Sequence, residues 1–315
     1  MIAVEPLSVR VQQVQPLSPT LKHLVLEPAD GGRLPTSLPG AHLSLTLRGG
    51  ERIFHNAYSV VSHPEERSRY EIIVRRVEQS RGGSAFIHET LRSGDVISAA
   101  PPNSLFPLQN VARKHLLIAG GIGLTPFLSF LPLLRLRNER FELFQFAREG
   151  EIGVFERLLE PYASHQVHVE VRNRAVSLAE ILGRQPLGTY VYTCGPLSLM
   201  ASVQDAAAAH GWPVGRILVE SFGAAPGNPF LIRLASTGAE VSVGEYGTML
   251  EALEDAGQPV SALCRGGVCG QCVTGVVDGT PEHRDHYLSD AEKLSGKLVM
   301  PCVSRAKSPV LTLDL

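Results

Sequence analysis

Neither sign of charge is in excess in this sequence of 315 residues, where 29 basic residues stand against 31 acidic ones. A chain without a surplus of basic residues has little to offer a phosphate backbone, so no nucleic-acid partner is expected. No export leader is expected from Met1-Ile2-Ala3-Val4-Glu5-Pro6, which has neither the basic nor the apolar segment of one. The expected compartment is therefore a reducing cytoplasm, where a disulfide framework is disfavoured. Internal repeats and low-complexity tracts are absent. One run, Leu116 to Leu134, goes 19 residues without a charge, long enough to span a bilayer. It contains Gly120, Gly121, Gly123, Pro126 and Pro132, so it reads as a buried strand, turn and helix, and no membrane association is expected.

Cysteine is scarce, with five in all, and four of the five fall in one spacing. Cys264, Cys269 and Cys272 form C-x4-C-x2-C, and Cys302 follows after 29 residues. This is the spacing with which plant-type ferredoxins hold a [2Fe-2S] cluster. Gly266, Gly267 and Gly270 let the backbone wrap closely round a compact inorganic core. The competing reading, a structural zinc site, usually shows two short C-x-x-C knuckles, and this chain has one.

Residues 1–108 read as strands. Leu43, Leu45 and Leu47 alternate with polar residues, Tyr70 to Val77 is β-rich, and Asp30-Gly31-Gly32, Gly49-Gly50 and Ser93-Gly94-Asp95 mark turns, which suits a small antiparallel barrel. A helix is expected from Gly83 to Leu91 with Ser84 as its cap. Two stretches here could hold a ligand: His55-Asn56-Ala57-Tyr58-Ser59-Val60, and Arg81-Gly82-Gly83-Ser84, where a helix start, a hydroxyl and an arginine would suit a phosphate monoester.

From 109 to 226 strands alternate with helices. Lys114 to Ala119 is an apolar strand running into Gly120-Gly121-Ile122-Gly123-Leu124-Thr125-Pro126 and then a helix. Proline stands where the dinucleotide fingerprint G-x-G-x-x-G has its third glycine. A second turn, Cys194-Gly195-Pro196, follows the strand Thr189 to Thr193. Such alternation predicts a doubly wound parallel sheet with ligands beyond the carboxyl ends of its strands. Ala224-Ala225-Pro226-Gly227-Asn228-Pro229 reads as a linker, and beyond it a hairpin and a capped helix lead to the cysteine loop.

Taken together and in order, these features resemble the phthalate dioxygenase reductase family, single-chain reductases with FMN, NADH and ferredoxin domains. The resemblance spans the whole chain and rests on Tyr58-Ser59, Arg81 to Ser84, the turn from Gly120 to Pro126, Cys194-Gly195-Pro196, Glu220-Ser221-Phe222 and the four cysteines. It implies an antiparallel β-barrel flavin domain at 1–108, a doubly wound α/β nucleotide domain at 109–226 and an α+β plant-type ferredoxin domain at 227–315. It further implies that Tyr58 and Phe222 flank the isoalloxazine ring and that Ser59 hydrogen-bonds near flavin N5. Asn56 and Ala57 would adjoin the flavin, Ile73, Val74 and Arg75 would line it, and Arg81, Gly82, Gly83 and Ser84 would take its phosphate. Gly120, Gly121, Gly123 and Thr125 would face the NADH pyrophosphate or the flavin edge, with Cys194, Gly195 and Pro196 beside the nicotinamide. Ser59, Cys194 and Glu220 are the candidate catalytic residues, although hydride transfer itself requires no general acid or base. Cys264, Cys269, Cys272 and Cys302 would be the cluster ligands.

One departure stands out. The family usually carries arginine two residues before the tyrosine, and here that residue is Asn56, so Arg75, Arg76 or Arg81 would have to supply the charge at the flavin phosphate. Glu149 would favour NADH and Arg148 could hold the extra phosphate of NADPH, with NADH the expected donor. The implied activity is that of the reductase component of a two-component Rieske-type oxygenase, passing electrons from NADH through FMN and the cluster to a terminal oxygenase that hydroxylates or demethylates its substrate. The alternatives are the same electron chain serving a haem or di-iron monooxygenase, and a non-enzymatic electron carrier or zinc-binding module.

Overall fold

The computed structural model describes residues 5–50, 52–78, 82–164, 166–171, 176–222, 227–263, 265–267 and 269–315. The described residues up to 222 form one compact unit and those from 227 another.

The first unit begins with strands β1 (Leu7–Ser18), β2 (Leu21–Pro28), β3 (Ala41–Gly49), β4 (Arg52–Ser59) and β5 (Tyr70–Arg75), helix α1 (Gly83–Glu89) and strands β6 (Val96–Ala99) and β7 (Asn103–Ser104). The sheet runs β4-β3-β6-β1-β2-β5, antiparallel throughout, with β7 added to β3. A bridge between Val60 and Ile72, and the Val61 N–H donating to the Glu71 carbonyl at 2.8 Å, join its outer strands and roll it into a barrel. Leu43, Leu45 and Leu47 are fully buried on the inner face. Burial of each stabilises the fold by about 1.5–3 kcal/mol. A one-residue slip of β3 would turn all three outward, so this register is strongly held.

The chain then builds a parallel sheet from β8 (Lys114–Gly120), β9 (Phe141–Ala147), β10 (Val167–Val171), β11 (Thr189–Cys194) and β12 (Ile217–Glu220), in the order β10-β9-β8-β11-β12. Its connections are α2 (Thr125–Leu136), α3 (Ile152–Leu159), α4 (Leu178–Gly183) and α5 (Leu197–Ala209). Strand alternation divides the core. Leu117 and Ala119 face α2, α3 and the barrel residues Leu21 and Ile73, whereas Leu116 and Ile118 face α4 and α5. The uncharged run from Leu116 is thus strand, turn and helix, and no described helix is long and apolar enough to cross a membrane.

The second unit holds β13 (Phe230–Leu234), β14 (Glu240–Val243), α6 (Met249–Asp255), β15 (Thr274–Asp278), β16 (Pro281–Glu282), α7 (Asp290–Ser295), β17 (Leu298–Val299), β18 (Arg305–Ala306) and β19 (Val310–Leu313). Its main sheet runs β14-β13-β19-β15-β17, and β16 pairs with β18. Reciprocal capping boxes, Thr248 with Glu251 and Ser289 with Glu292, start α6 and α7. Arg305 is buried, and its guanidinium donates to the carbonyls of Gly247, Gly244, Asn228 and Gly227 at 2.7, 2.9, 3.0 and 3.2 Å.

Candidate functional site

In the first unit the strands β8 and β11 are neighbours, and the turns that follow them cross at backbone contact. A Cβ on Gly120 would stand 2.7 Å from Pro196 Cδ, one on Gly195 2.9 Å from Gly120 Cα, and one on Gly123 2.2 Å from the Cys194 carbonyl oxygen. Gly121 adopts φ of +54°, the left-handed region that glycine enters without strain. The glycines therefore serve first to let the two turns interlock at the carboxyl ends of the sheet. Gly123 spends its missing side chain on the Cys194 carbonyl. Thr125 is buried and its hydroxyl donates to the Ile122 carbonyl at 3.0 Å, so it braces the turn from within. Pro126 sits in the first turn of α2, where its lacking N–H costs nothing.

Cys194 is wholly buried among Leu117, Ala119 and Phe127. Burial, reinforced by the carboxylate of Glu220, pushes its thiol well above the ordinary range, so it stands as a neutral thiol. Glu220 is its register partner across β11 and β12. Although the residue keeps some exposure, Glu220 Oε2 is shut off from solvent with no hydrogen-bond partner among the described residues, and burial pushes the carboxyl up to about 8. Thr193, next to Cys194, is likewise buried with an unpartnered hydroxyl.

On the barrel side, Ser59 ends β4 with a buried Oγ that has no partner among the described residues, Tyr58 packs at the edge of the barrel core and Ala57 is exposed. Asn56 lies directly on the start of α1, its Oδ1 only 1.9 Å from the position of a Cβ on Gly83. Gly82 has φ of +103° and caps that helix through its backbone. Ser84 is not the cap expected from sequence. It is the second helical residue, and its Oγ accepts from the Val77 N–H at 3.2 Å, tying the helix to the chain leaving β5. Ile73 and Val74 are buried on opposite sides of β5, and Phe222 is 47% exposed. Arg81 lies outside the described residues. The other two arginines considered as substitutes for a charge at Asn56 are engaged elsewhere: Arg75 Nη1 pairs with Glu151 Oε1 at 2.6 Å, and Arg76 Nη2 with Glu89 Oε1 at 2.7 Å. Arg75 thereby reaches from the barrel to the nucleotide sheet, its Nη2 3.6 Å from where a Cβ on Gly121 would stand.

Two participants escaped the sequence reading. Glu151 holds Arg75 from the start of α3, 76 residues away along the chain. Gln145, wholly buried on β9, donates from Nε2 to the Gly121 carbonyl at 3.1 Å. A glutamine between two phenylalanines, Phe144-Gln145-Phe146, in a strand whose buried positions are mostly apolar was the available signal.

In the second unit Cys272 and Cys302 are buried with sulfurs 3.2 Å apart, well beyond a disulfide bond. The hydrogen bond between the two thiols is the main cause that brings the Cys272 thiol down to about 7. Two sulfurs this close can both ionise only around a cation, the electrostatics of a metal centre. Cys269 is half-buried, and Cys264 lies outside the described residues. The loop is closed by glycines: a Cβ on Gly270 would stand 2.3 Å from the ring of Tyr287 and one on Gly267 2.6 Å from Val303. Arg265, whose place in the cysteine loop would suit an exposed docking contact, is instead turned inward, with φ of +52°, and makes a two-pronged pair with Glu254 of α6 at 2.5 and 3.0 Å.

A barrel joined to a doubly wound sheet through one core, followed on the same chain by a ferredoxin unit, defines a modular flavin and pyridine-nucleotide reductase with an iron–sulfur module. Residues 232–307 match the model of the 2Fe-2S iron-sulfur cluster binding domain. The chain is 42% identical to the heme-dependent oxidative N-demethylase beta subunit of Ectopseudomonas mendocina (strain ymp), covering 98% of this chain and 99% of that one. It is 39% identical to the carnitine monooxygenase reductase subunit of Escherichia coli (strain K12), covering 98% of each. A solved structure of phthalate dioxygenase reductase, described as a modular structure for electron transfer from pyridine nucleotides to [2Fe-2S], superposes with a TM-score of 0.80 over 98% of both chains at 33% identity. The chain belongs to the phthalate dioxygenase reductase family.

Proposed function

We propose that this protein is the reductase component of an oxygenase system, an NADH-dependent flavin iron–sulfur oxidoreductase that draws electrons from NADH and delivers them singly to a terminal oxygenase of the Rieske type. The single observation that carries the reading is the interlocked pair of turns at Gly123 and Cys194, which leaves glycine backbone at the carboxyl ends of two adjacent parallel strands. The residues present fit FMN. Ser59 offers a buried hydroxyl with no protein partner, and Gly83 leaves a space that no side chain could share with Asn56. The thiol pair of Cys272 and Cys302, with Cys269, fits an iron–sulfur centre, to which Cys264 adds the fourth sulfur of the spacing.

When bound, FMN supplies the conversion of a two-electron hydride into single electrons, and the cluster supplies a one-electron exit. The chain's own work is positioning. Gly82 and Gly83, with Arg81, would take the flavin phosphate, while Tyr58 and the backbone of Ile73, Val74 and Arg75 would line the flavin along the barrel. Ser59 holds a proton at Oγ for a flavin acceptor. Gly120, Gly121, Gly195 and Pro196 shape the floor for the nicotinamide nucleotide, and the neutral Cys194 and Glu220 keep that floor free of charge below about pH 8. Phe222, exposed at the end of β12, is placed to cover a ring or to move from it.

A second reading, a haem-dependent oxygenase as partner, is favoured by the 42% identity to the N-demethylase subunit. Anaerobic NADH should bleach both flavin and iron–sulfur absorbance of the purified protein, and acid extraction should release FMN. A colourless, zinc-loaded preparation would defeat the whole reading. NADH-driven reduction of Rieske oxygenases and of haem oxygenases, assayed side by side, separates the two partners.

A further inference from the structure

Gln145 is a buried polar residue that none of the preceding chemistry uses. It stands opposite Ala119 in the pairing of β9 with β8, one residue before the glycine turn begins, and its solvent exposure is zero. Its Nε2 donates to two carbonyls, Gly121 at 3.1 Å and its own neighbour Phe146 at 3.2 Å. That pair fixes the amide orientation, since a flipped amide would set oxygen against two oxygens. The remaining atom, Oε1, is buried with no partner among the described residues. A buried glutamine left half-satisfied is a poor packing residue, and an aliphatic side chain of similar size would avoid the desolvation.

What Gln145 does follows from peptide geometry. The carbonyl of Gly121 and the N–H of Ile122 belong to one planar trans peptide, so they point in opposite directions, and the described chain contains no cis bond. Drawing the Gly121 carbonyl towards β9 therefore turns the Ile122 N–H away from it. Gly121 opens the helical run that continues through α2, so the Ile122 N–H is among the first-turn donors without an intrahelical acceptor. Gly121, which has no Cβ and sits at φ of +54°, allows this peptide a wider range of orientations than another residue would, and the Gln145 amide selects one of them. On the other face of the glycine lies the Arg75 guanidinium, held by Glu151.

We infer that Gln145 is the positioning residue of the nucleotide turn, holding the Gly121–Ile122 peptide so that the Ile122 N–H is presented to the diphosphate of NADH. This rests on the reading of the crevice as the NADH site. Gln145 touches neither substrate nor flavin and acts only through the turn, so its loss should weaken NADH binding and leave the chemical step nearly intact.

The test uses the full-length holoprotein in anaerobic stopped flow, following flavin bleaching against NADH concentration for the wild type, Gln145→Leu and Gln145→His. Gln145→Leu should raise the apparent dissociation constant of NADH roughly tenfold, the scale of one misplaced hydrogen bond to a charged group. Its limiting bleaching rate should stay within about twofold, since uniform binding alone is removed. Gln145→His, which keeps a ring N–H, should recover part of the affinity. FMN content and thermal midpoint should match the wild type in both. A wild-type dissociation constant in Gln145→Leu overturns the inference, and so does a histidine variant no better than the leucine one. Loss of FMN or of folding in both variants would assign Gln145 to the core and overturn it too. A wild-type protein that NADH does not bleach would remove the parent reading and this inference with it.

Discussion

The carbonyl oxygen of Cys194 lies 2.2 Å from the position that a Cβ on Gly123 would occupy. The obstacle is backbone, which cannot swing aside as a flexible side chain would. Gly123→Ala should therefore push the two turns apart and destabilise the first unit by about 1–3 kcal/mol. Its NADH-dependent flavin reduction should slow by roughly a hundredfold, the cost of a misplacement near 1 Å. Thermal melting and stopped-flow absorbance check both. A variant with wild-type kinetics would mean that the crossing of the turns is not part of the site.

At Gly83 the neighbour is the tip of a side chain, Asn56 Oδ1, so Gly83→Ala should displace the amide and leave the fold almost unchanged. Flavin affinity, followed by fluorescence on dilution, should fall roughly tenfold as hydrogen bonds at the start of α1 are lost. Asn56→Arg should keep or improve flavin retention, because Arg75 and Arg76 are paired to Glu151 and Glu89 and Asn56 itself brings no charge to the start of α1.

Glu220 makes stability depend on pH. Burial raises its carboxyl from the ordinary 4.5 to about 8, so in the folded state it keeps a proton that the unfolded chain gives up. Its stabilising contribution is complete below pH 4.5 and is lost as pH rises towards and through 8. Glu220→Gln, neutral at every pH, should flatten this part of the profile and be relatively more stable than the wild type at pH 8 than at pH 5. Urea midpoints at the two pH values measure the difference, and equal differences at both would show that Glu220 ionises normally.

In the ferredoxin unit, Arg265→Ala removes a half-buried two-pronged pair with Glu254 and should destabilise the unit by about 1–3 kcal/mol, between exposed and buried ion pairs. Because residue 265 holds φ of +52°, Arg265→Gly should be less damaging than Arg265→Ala by roughly 1 kcal/mol, the steric cost of a Cβ there. Cluster absorbance should fade faster in both variants on heating, while flavin bleaching by NADH persists. Partner reduction lost at full cluster content would instead restore Arg265 as a docking residue.

Signals carried by near neighbours in the chain were readable. The spacing of Cys264, Cys269 and Cys272, the leucine alternation of β3, the strand, turn and helix from Leu116, and the capping box at Thr248 each lie within one segment. The box at Ser289 and Glu292 was as legible as that at Thr248 and marks a helix the sequence reading left out. Ser84 looked like a cap because serine beside a glycine pair before a helix has that composition. Its hydroxyl went instead to Val77, a segment that arrives from β5.

The sequence by itself determined the succession of a β-rich, an α/β and a cysteine-bearing segment, because periodicity and ligand spacing are local properties of the chain. Only the tertiary structure decided which way key side chains point. It sent Arg75 across to Glu151, turned Arg265 inward to Glu254, and set Gln145 against the Gly121 carbonyl. It also revealed that Gly123 is small because Cys194 passes over it, 71 positions further along. The reason is physical: a charge or a buried amide takes the partner that folding brings within about 3 Å, and no local pattern encodes which distant segment that will be.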